Sequence, residues 1–136
     1  MKKMLFLLFL MPMTTLAQHT LTLKITNVKN TNGEIRAAIY DNSEDFLKFD
    51  KVFKAAAEDA SKGTTTLTFK NVPVGTYAIA VFHDENSNEK LDTNFVGYPK
   101  EALGFSIGKM KTFGPPSFQE CAFKLDADKE LTIEIK

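Results

Sequence analysis

Oxygen-bearing side chains recur at alternate positions in the segment 83–94, directly after an apolar stretch. Side chains two residues apart on a curling backbone can converge on one centre, and carboxylate and amide oxygens are the ligands that Ca²⁺ prefers. If the first carboxylate takes position 1 of a calcium loop, two asparagines follow at positions 3 and 5, a main-chain carbonyl at position 7 and a second aspartate at position 9. The spacing therefore predicts a calcium site at 84–94 built from Asp84, Asn86, Asn88, Asp92 and the main-chain oxygen of Lys90.

This segment departs from the EF-hand pattern at two positions. An EF-hand loop needs glycine at position 6 and a bidentate glutamate at position 12, where this chain has Glu89 and Phe95. With two certain carboxylates, we expect modest affinity, in the range of extracellular modules. The alternative is a polar loop in which Asn and Asp side chains bond to their own backbone. The sequence leaves both interpretations open.

A second kind of chemistry could centre on the histidine that begins the segment. His83 precedes Asp84, and an imidazole can act as a general base near neutral pH. With Glu101 as a further carboxylate, the alternative function is a small periplasmic hydrolase or isomerase using His83, Asp84 and Glu101. A lone histidine at a strand end is more often a structural hydrogen-bonding group. With only two histidines in the chain, the composition argues against a multi-histidine zinc or copper site.

The segment 84–118 has no clear helical or strand period over 35 residues. Structureless loops of this length are uncommon in compact domains, and those that are ordered usually carry function. Its second half is rich in aromatic residues among glycines and prolines. These could form a platform for a sugar or peptide, or pin the loop onto the domain as a small satellite core, which we expect. The aromatic residues are Phe95, Tyr98, Phe105, Phe113 and Phe118.

The first 17 residues have the pattern of a secretory signal peptide. Lys2 and Lys3 precede a short apolar run, and Thr15-Leu16-Ala17 places small residues at −3 and −1 of a cut before Gln18. We therefore expect export to the periplasm or the cell exterior, with 18–136 as a single domain and no membrane span after cleavage. Without Lys2 and Lys3 the chain carries 15 basic and 17 acidic residues, which argues against nucleic acid as a partner.

Alternating apolar and polar residues predict a chain made mostly of β-strands. Strands are expected near 20–28, 33–40, 52–58, 64–72, 77–82, 119–125 and 130–136, the third and fourth joined as a hairpin. Seven short strands predict an all-β fold, a single antiparallel seven-stranded sandwich of the Ig-like or transthyretin-like kind, with one long ordered loop at 84–118. Cys121, the single cysteine, is expected to be a small buried hydrophobe rather than a reactive thiol. The predicted core is Ile25, Ile35, Ile39, Phe69, Tyr77, Ile79, Val81, Phe123 and Ile133.

Several short motifs occur in an order that resembles one bacterial family. They are Gly75-Thr76-Tyr77-Ala78-Ile79-Ala80-Val81-Phe82-His83-Asp84-Glu85-Asn86, Leu91-Asp92-Thr93-Asn94, Gly97-x-Pro99-x-Glu101, Gly104-Phe105-Ser106 and Gly114-Pro115-Pro116-Ser117-Phe118. Over roughly residues 20–136 the chain resembles the DUF2141 family of small exported bacterial proteins. The Pro73-x-Gly75-x-Tyr77 turn is more distantly similar to transthyretin-like and collagen-adhesin B-type modules.

The resemblance implies an exported β-sandwich and supplies no activity. This chain departs from the family at Ser87 and Glu89, where glycine is more frequent, and at Cys121, where alanine is usual. From the residues and the resemblance together, we expect an exported, non-enzymatic binding or structural module. Its loop at 84–94 would bind calcium, and its partner would be an unknown protein or a glycan.

Overall fold

The computed structural model describes residues 16–136, and the first 15 residues of the expected signal peptide lie outside the described part. The secondary structure of residues 16–136 consists of eight strands, one 3₁₀ turn at Phe49–Lys51 and one four-residue helix. The strands are β1 (Gln18–Val28), β2 (Glu34–Tyr40), β3 (Lys54–Asp59), β4 (Gly63–Pro73), β5 (Gly75–Asp84), β6 (Leu103–Phe105), β7 (Phe123–Leu125) and β8 (Lys129–Glu134), and the helix is α1 (Phe118–Cys121).

The strands form two sheets around one core. The smaller sheet has the order β4-β1-β8, and the larger has the order β3-β2-β5-β6, with β7 paired to the start of β5. Successive side chains of a strand point to opposite faces, so the alternation in the sequence places one apolar face of each sheet inward. Every residue predicted for the core is buried in a single cluster that includes both sheets, which confirms that part of the prediction.

The all-β class is as predicted, but the strand count and pairing differ from a wholly antiparallel seven-stranded sandwich. Of the eight strands in residues 16–136, β1 and β8 pair in parallel, with Leu23 opposite Leu131. The additional strand is β6, a three-residue segment that pairs with Ala80–Phe82 of β5. A strand this short has no detectable alternation of its own, which explains why the sequence pattern does not show it.

The predicted hairpin between the third and fourth strands is wrong. β3 pairs with β2 in the larger sheet, whereas β4 pairs with β1 in the smaller one. The turn between them carries the chain from one sheet to the other. It is held by Thr65, whose hydroxyl accepts from the Ser61 amide at 2.9 Å and donates to the Ser61 carbonyl at 3.1 Å. Ala60, directly after β3, is buried in the core cluster.

The Asn32-Gly33 turn also connects the two sheets. Gly33 has φ +65°, and a Cβ at this position would collide with the main-chain oxygen of Asp84. Glycine is therefore required here for both its left-handed backbone and its lack of a side chain. This contact fixes the end of β5, where the predicted calcium loop begins.

The segment 84–118 is not one uninterrupted loop. β6 divides it, and α1 begins at its end with a capping box formed by Ser117 and Glu120. A second apolar cluster forms on the outer face of the larger sheet, where Phe105 and Phe118 pack with buried Cys121. Phe105 and Phe118 thus form the expected satellite core, whereas Phe95 and Phe113 are fully exposed at 100% and 101%. Within residues 16–136, none of the helical segments has the length and apolar character of a membrane span.

Candidate functional site

The outer face of the larger sheet carries a row of alanines. Ile35, Ala37 and Ile39 of β2 point into the core, so Ala38 points outward between them. Ala38 lies opposite Ala55 of β3 on one side and opposite Ala80 of β5 on the other. Because directly opposed residues share a face, three methyl groups lie side by side across three strands. They form a flat, apolar floor without a large side chain.

Larger side chains surround this floor. On the same face of the sheet, Phe82 and Leu103 lie opposite each other on one side of the alanine row. Tyr40, at the end of β2, lies on its other side. Residues of the segments 47–52, 91–99 and 110–115 also line this side of the sheet. Together with the alanine floor they enclose a cleft of about 840 Å³. This is within the size range of small-molecule sites, roughly 300–1,000 Å³.

The rim of the cleft is aromatic and exposed. Phe49, Val96, Tyr98 and Phe113 all border the opening, and each is at least 61% exposed. Exposed apolar side chains scattered singly are ordinary, but a group of them around one concave surface is typical of a binding site. We call the alanine floor and its surrounding walls the alanine cleft.

Charged side chains of the alanine cleft lie at one end. Arg36 lies one row from Ala38, and its guanidinium donates to Glu34 at 2.7 Å, to Asp84 at 3.0 Å and to Glu89 at 3.1 Å. Burial disfavours the charged form, but the carboxylates of Glu34, Asp84 and Glu89 outweigh it and raise the pKa of Arg36 above its ordinary value. One guanidinium facing three carboxylates leaves this end with an excess of negative charge.

The predicted calcium loop begins at the same end. Asp84 is fully buried, and its carboxylate accepts from the backbone amides of Asn88 at 3.1 Å and Glu89 at 2.8 Å in addition to Arg36. The side-chain amides of Asn86 and Asn88 both donate to the carboxylate of Asp92, at 2.6 and 2.9 Å. The structure thus brings together the side chains of Asn86, Asn88 and Asp92, whereas the Asp84 carboxylate contacts the main chain of the loop and Arg36.

The side chain of Lys90 does not take part in this cluster of hydrogen bonds. Its backbone amide donates to the Asn88 side-chain oxygen at 3.0 Å, and the Asn88 amide approaches the Asn86 side-chain oxygen at 3.3 Å. These are the local Asx bonds that the alternative interpretation expected. Both interpretations are therefore compatible with the loop, since a calcium loop also curls through turns of this kind.

Two residues of the loop have left-handed backbone conformations. Ser87 has φ 54° and Glu89 has φ 65°. These are the two positions at which the family resemblance leads one to expect glycine, and glycine adopts such φ values without steric cost. The sharp turn therefore forms without glycine, with the Glu89 side chain held by Arg36. Among residues 16–136, no group of three or more His, Cys, Asp or Glu side chains is arranged to hold a metal, so a cation at the two aspartates would also need amide and main-chain oxygens.

The three residues of the enzymatic alternative have separate structural roles. His83 is buried on the core side of β5, and its Nε2 lies 2.7 Å from the Asn32 carbonyl. Asp84, the next residue, points to the opposite face and binds Arg36. Glu101 accepts from the backbone amides of Glu85 at 3.1 Å and Asp92 at 3.0 Å, so it closes the base of the loop. None of His83, Asp84 and Glu101 is among the residues that line the alanine cleft.

Sequence reasoning missed the alanine cleft. The sequence pattern predicts strands at 52–58 and 77–82 but assigns no role to the alanines within them. The detectable signal was that alanine recurs on the outward side of three separate strands, where polar residues normally face water.

The fold and the cleft define a class, a two-sheet all-β module with an apolar cleft on the outer face of its larger sheet. The chain belongs to the family described as "Uncharacterized protein conserved in bacteria (DUF2141)", whose model matches residues 23–134. The suspected resemblance is therefore confirmed at the level of the family. Neither the curated proteins nor the solved structures contain a match to this chain.

Proposed function

We propose that this protein is an exported binding module that holds an elongated apolar ligand in the alanine cleft. The observation that carries the proposal is the row of Ala38, Ala55 and Ala80 beneath an exposed aromatic rim. Small side chains in register leave room for a ligand to lie against the sheet, and the aromatic rim offers contact area above it.

The lining of the alanine cleft favours an apolar ligand over the glycan that the sequence suggested. Sugars present many hydroxyl groups, and each one that is buried needs a partner. The floor offers none, and the charged groups are confined to the Arg36 end. A ligand with an apolar body and one polar end matches this distribution.

Filling the floor provides the test. We expect Ala38→Phe to abolish binding of the apolar fluorophore N-phenyl-1-naphthylamine, because the new ring occupies the centre of the cleft. Ala127→Phe is the matched control, since it adds the same ring to an exposed turn before β8. Equal binding by both variants, with both shown to be folded by circular dichroism, would overturn the proposal.

A second proposed activity is weak calcium binding by the loop 84–92. It is supported by the hydrogen bonds that join Asn86 and Asn88 to Asp92 and the Asn88 amide to Asp84. Lys90 would contribute its main-chain oxygen. Asp84 accepts three hydrogen bonds, and a carboxylate has about four acceptor positions, so one remains for a cation. In the calcium-bound loop, the side chains of Asn86 and Asn88 would give up their bonds to Asp92 and turn their amide oxygens towards the ion.

Thermal melts in calcium and in EDTA test this activity. A ligand that binds only the folded state stabilises it by about 2.7 kcal/mol at a hundredfold excess over Kd. The gain should disappear in Asp92→Asn and persist in Asp126→Asn, which removes the same charge from an exposed turn. An unchanged melting temperature of the unsubstituted protein in millimolar calcium would leave the loop as a polar turn alone.

We further propose that the sandwich is of the Ig-like or transthyretin-like kind. The hydroxyl of Tyr77 donates to the Pro73 carbonyl four residues upstream at 2.8 Å. This resembles the tyrosine corner of Ig-like sandwiches, in which a tyrosine bonds back to the backbone a few residues before it. A crystal structure in which the Tyr77 hydroxyl makes no bond to the Pro73 carbonyl, or in which the strand order of the two sheets differs from the one described above, would contradict the assignment to the Ig-like or transthyretin-like kind.

A further inference from the structure

Two closed turns carry phenylalanine at a central position, where turns usually have polar residues or glycine. In the first, the Gly97 amide donates to the Asn94 carbonyl at 2.9 Å, and Phe95 and Val96 occupy the centre. The Asn94 side chain accepts from the amides of Val96 at 3.0 Å and Tyr98 at 2.9 Å. This turn is hydrogen-bonded from both sides, so Phe95 is held in its exposed position.

The second turn is built in the same way. Lys111 and Gly114 exchange backbone hydrogen bonds of 2.7 and 3.3 Å, which places Thr112 and Phe113 at the centre. Phe113 is fully exposed, although removing a phenylalanine side chain from water is favourable. Both turns border the alanine cleft through Val96, Tyr98 and Phe113, so they lie on the same side of the molecule. We call these two turns, 94–98 and 111–114, the aromatic turns.

Charge around the aromatic turns differs from that of the rest of the chain. The segment 93–116 contains three lysines and one glutamate, whereas the remainder from residue 18 onward has an excess of acidic residues. Lys100 and Lys109 are exposed, and Lys111 pairs with Glu120 at 2.8 Å. Exposed phenylalanines flanked by lysines complement a surface that has an apolar interior beneath a negatively charged layer.

From this combination we propose that the aromatic turns dock the protein onto an anionic lipid bilayer. Phe95 and Phe113 insert below the headgroups while Lys100 and Lys109 contact the anionic layer. The association is peripheral and reversible, because only a few apolar side chains enter the lipid. This surface shares the rim of the alanine cleft but not its floor, and the proposal does not depend on the ligand proposed above.

Co-sedimentation with vesicles tests the proposal on the protein that begins at Gln18. We expect binding to vesicles of phosphatidylglycerol and phosphatidylcholine, weaker binding to phosphatidylcholine alone, and loss of affinity as salt rises. Phe95→Ser with Phe113→Ser should weaken binding about tenfold or more, given the cost of losing two buried rings. Val74→Ser is the control. Val74 is exposed before β5, whereas the first aromatic turn follows the other end of that strand.

Substitutions that reverse charge or fill the cleft distinguish lipid docking from ligand binding in the alanine cleft. Lys100→Glu with Lys109→Glu should weaken binding to anionic vesicles about tenfold or more, at ~1 kcal/mol for each basic residue near the surface. Lys129→Glu, on β8 of the other sheet, should change it far less. Ala38→Phe should leave vesicle binding intact even if it abolishes binding of the fluorophore.

Three results would overturn the docking proposal. The first is an absence of binding to anionic vesicles. The second is binding that the phenylalanine substitutions leave unchanged. The third is self-association in sedimentation that those substitutions abolish while no vesicle binding occurs, which would assign the aromatic turns to a second copy of the chain.

Discussion

Replacing Asp84 by asparagine should destabilise the protein more than any other single charge removal in the loop. The carboxylate is fully buried and accepts three hydrogen bonds, from the Asn88 amide, the Glu89 amide and the Arg36 guanidinium. Asparagine has the same shape but only one acceptor oxygen. If that oxygen keeps the bonds to Glu89 and Arg36, the new NH₂ group faces the Asn88 amide, donor against donor.

The magnitude follows from these contacts. Weakening the charge-assisted bond to Arg36 costs about 1.5–3 kcal/mol, and leaving a buried donor without an acceptor costs about 1–3 kcal/mol. Since Arg36 is partly exposed, the lower half of the summed range of about 2.5–6 kcal/mol is appropriate, which is about 2.5–4 kcal/mol. With a urea dependence of about 2 kcal/mol per molar, the middle of the usual range, the unfolding midpoint should fall by roughly 1–2 M with an unchanged slope.

Urea titration followed by far-ultraviolet circular dichroism suits the measurement, because the chain has no tryptophan. Asp126→Asn is the matched control, since that side chain is exposed and its contact with Lys124 spans 4.0 Å. We expect the control to change stability by less than about 0.5 kcal/mol. Equal midpoints for the two variants would refute the argument that the buried carboxylate organises the loop.

Three further predictions concern other parts of the chain. Hydrogen bonds from Lys111 and from the Ser117 amide lower the pKa of Glu120 to about 2. The contribution of Glu120 to stability should therefore be present above pH 4.5 and be lost as pH falls towards 2. Carbon-detected NMR titration should give that pKa, and Lys111→Met should raise it. Burial raises the pKa of the Cys121 thiol to about 11, so iodoacetamide at pH 8 should label it only in denaturant, and labelling of the native protein would contradict the buried position. Mass spectrometry of exported protein should show a chain beginning at Gln18, and an exported chain that retains Met1 would contradict cleavage.

The faces of the strands could be predicted from the sequence because alternation is a local property. Whether Ile35 or Arg36 points inward follows from the residues two positions away, so the core residues were identified correctly. Pairing partners are not local. A turn such as Ser61-Lys62-Gly63 reverses the chain equally well within one sheet or between two, and the parallel pair of β1 and β8 joins residues more than 100 positions apart.

The same distinction applies to the candidate sites. The loop 84–92 was predictable because the hydrogen bonds that draw Asp84, Asn88 and Asp92 together span no more than five residues. The alanine cleft was not, because its floor requires knowing that Ala38, Ala55 and Ala80 are neighbours. A single alanine carries no signal, and only the pairing of three strands turns three of them into a surface.

Arg36 connects the two sites, and this determines how the variants should be interpreted. Its guanidinium binds Asp84 and Glu89 of the loop, while the residue itself borders the alanine cleft. A change in fluorophore binding after Asp84→Asn would therefore reflect a displaced Arg36 as readily as a lost cation. Asp92→Asn leaves all three contacts of Arg36 in place and tests the loop alone. Ala38→Phe changes no residue of the loop and tests the cleft alone. Asp92→Asn and Ala38→Phe, rather than Asp84→Asn, therefore decide whether the sites act together. If they do, each of these two variants should change both fluorophore binding and calcium binding.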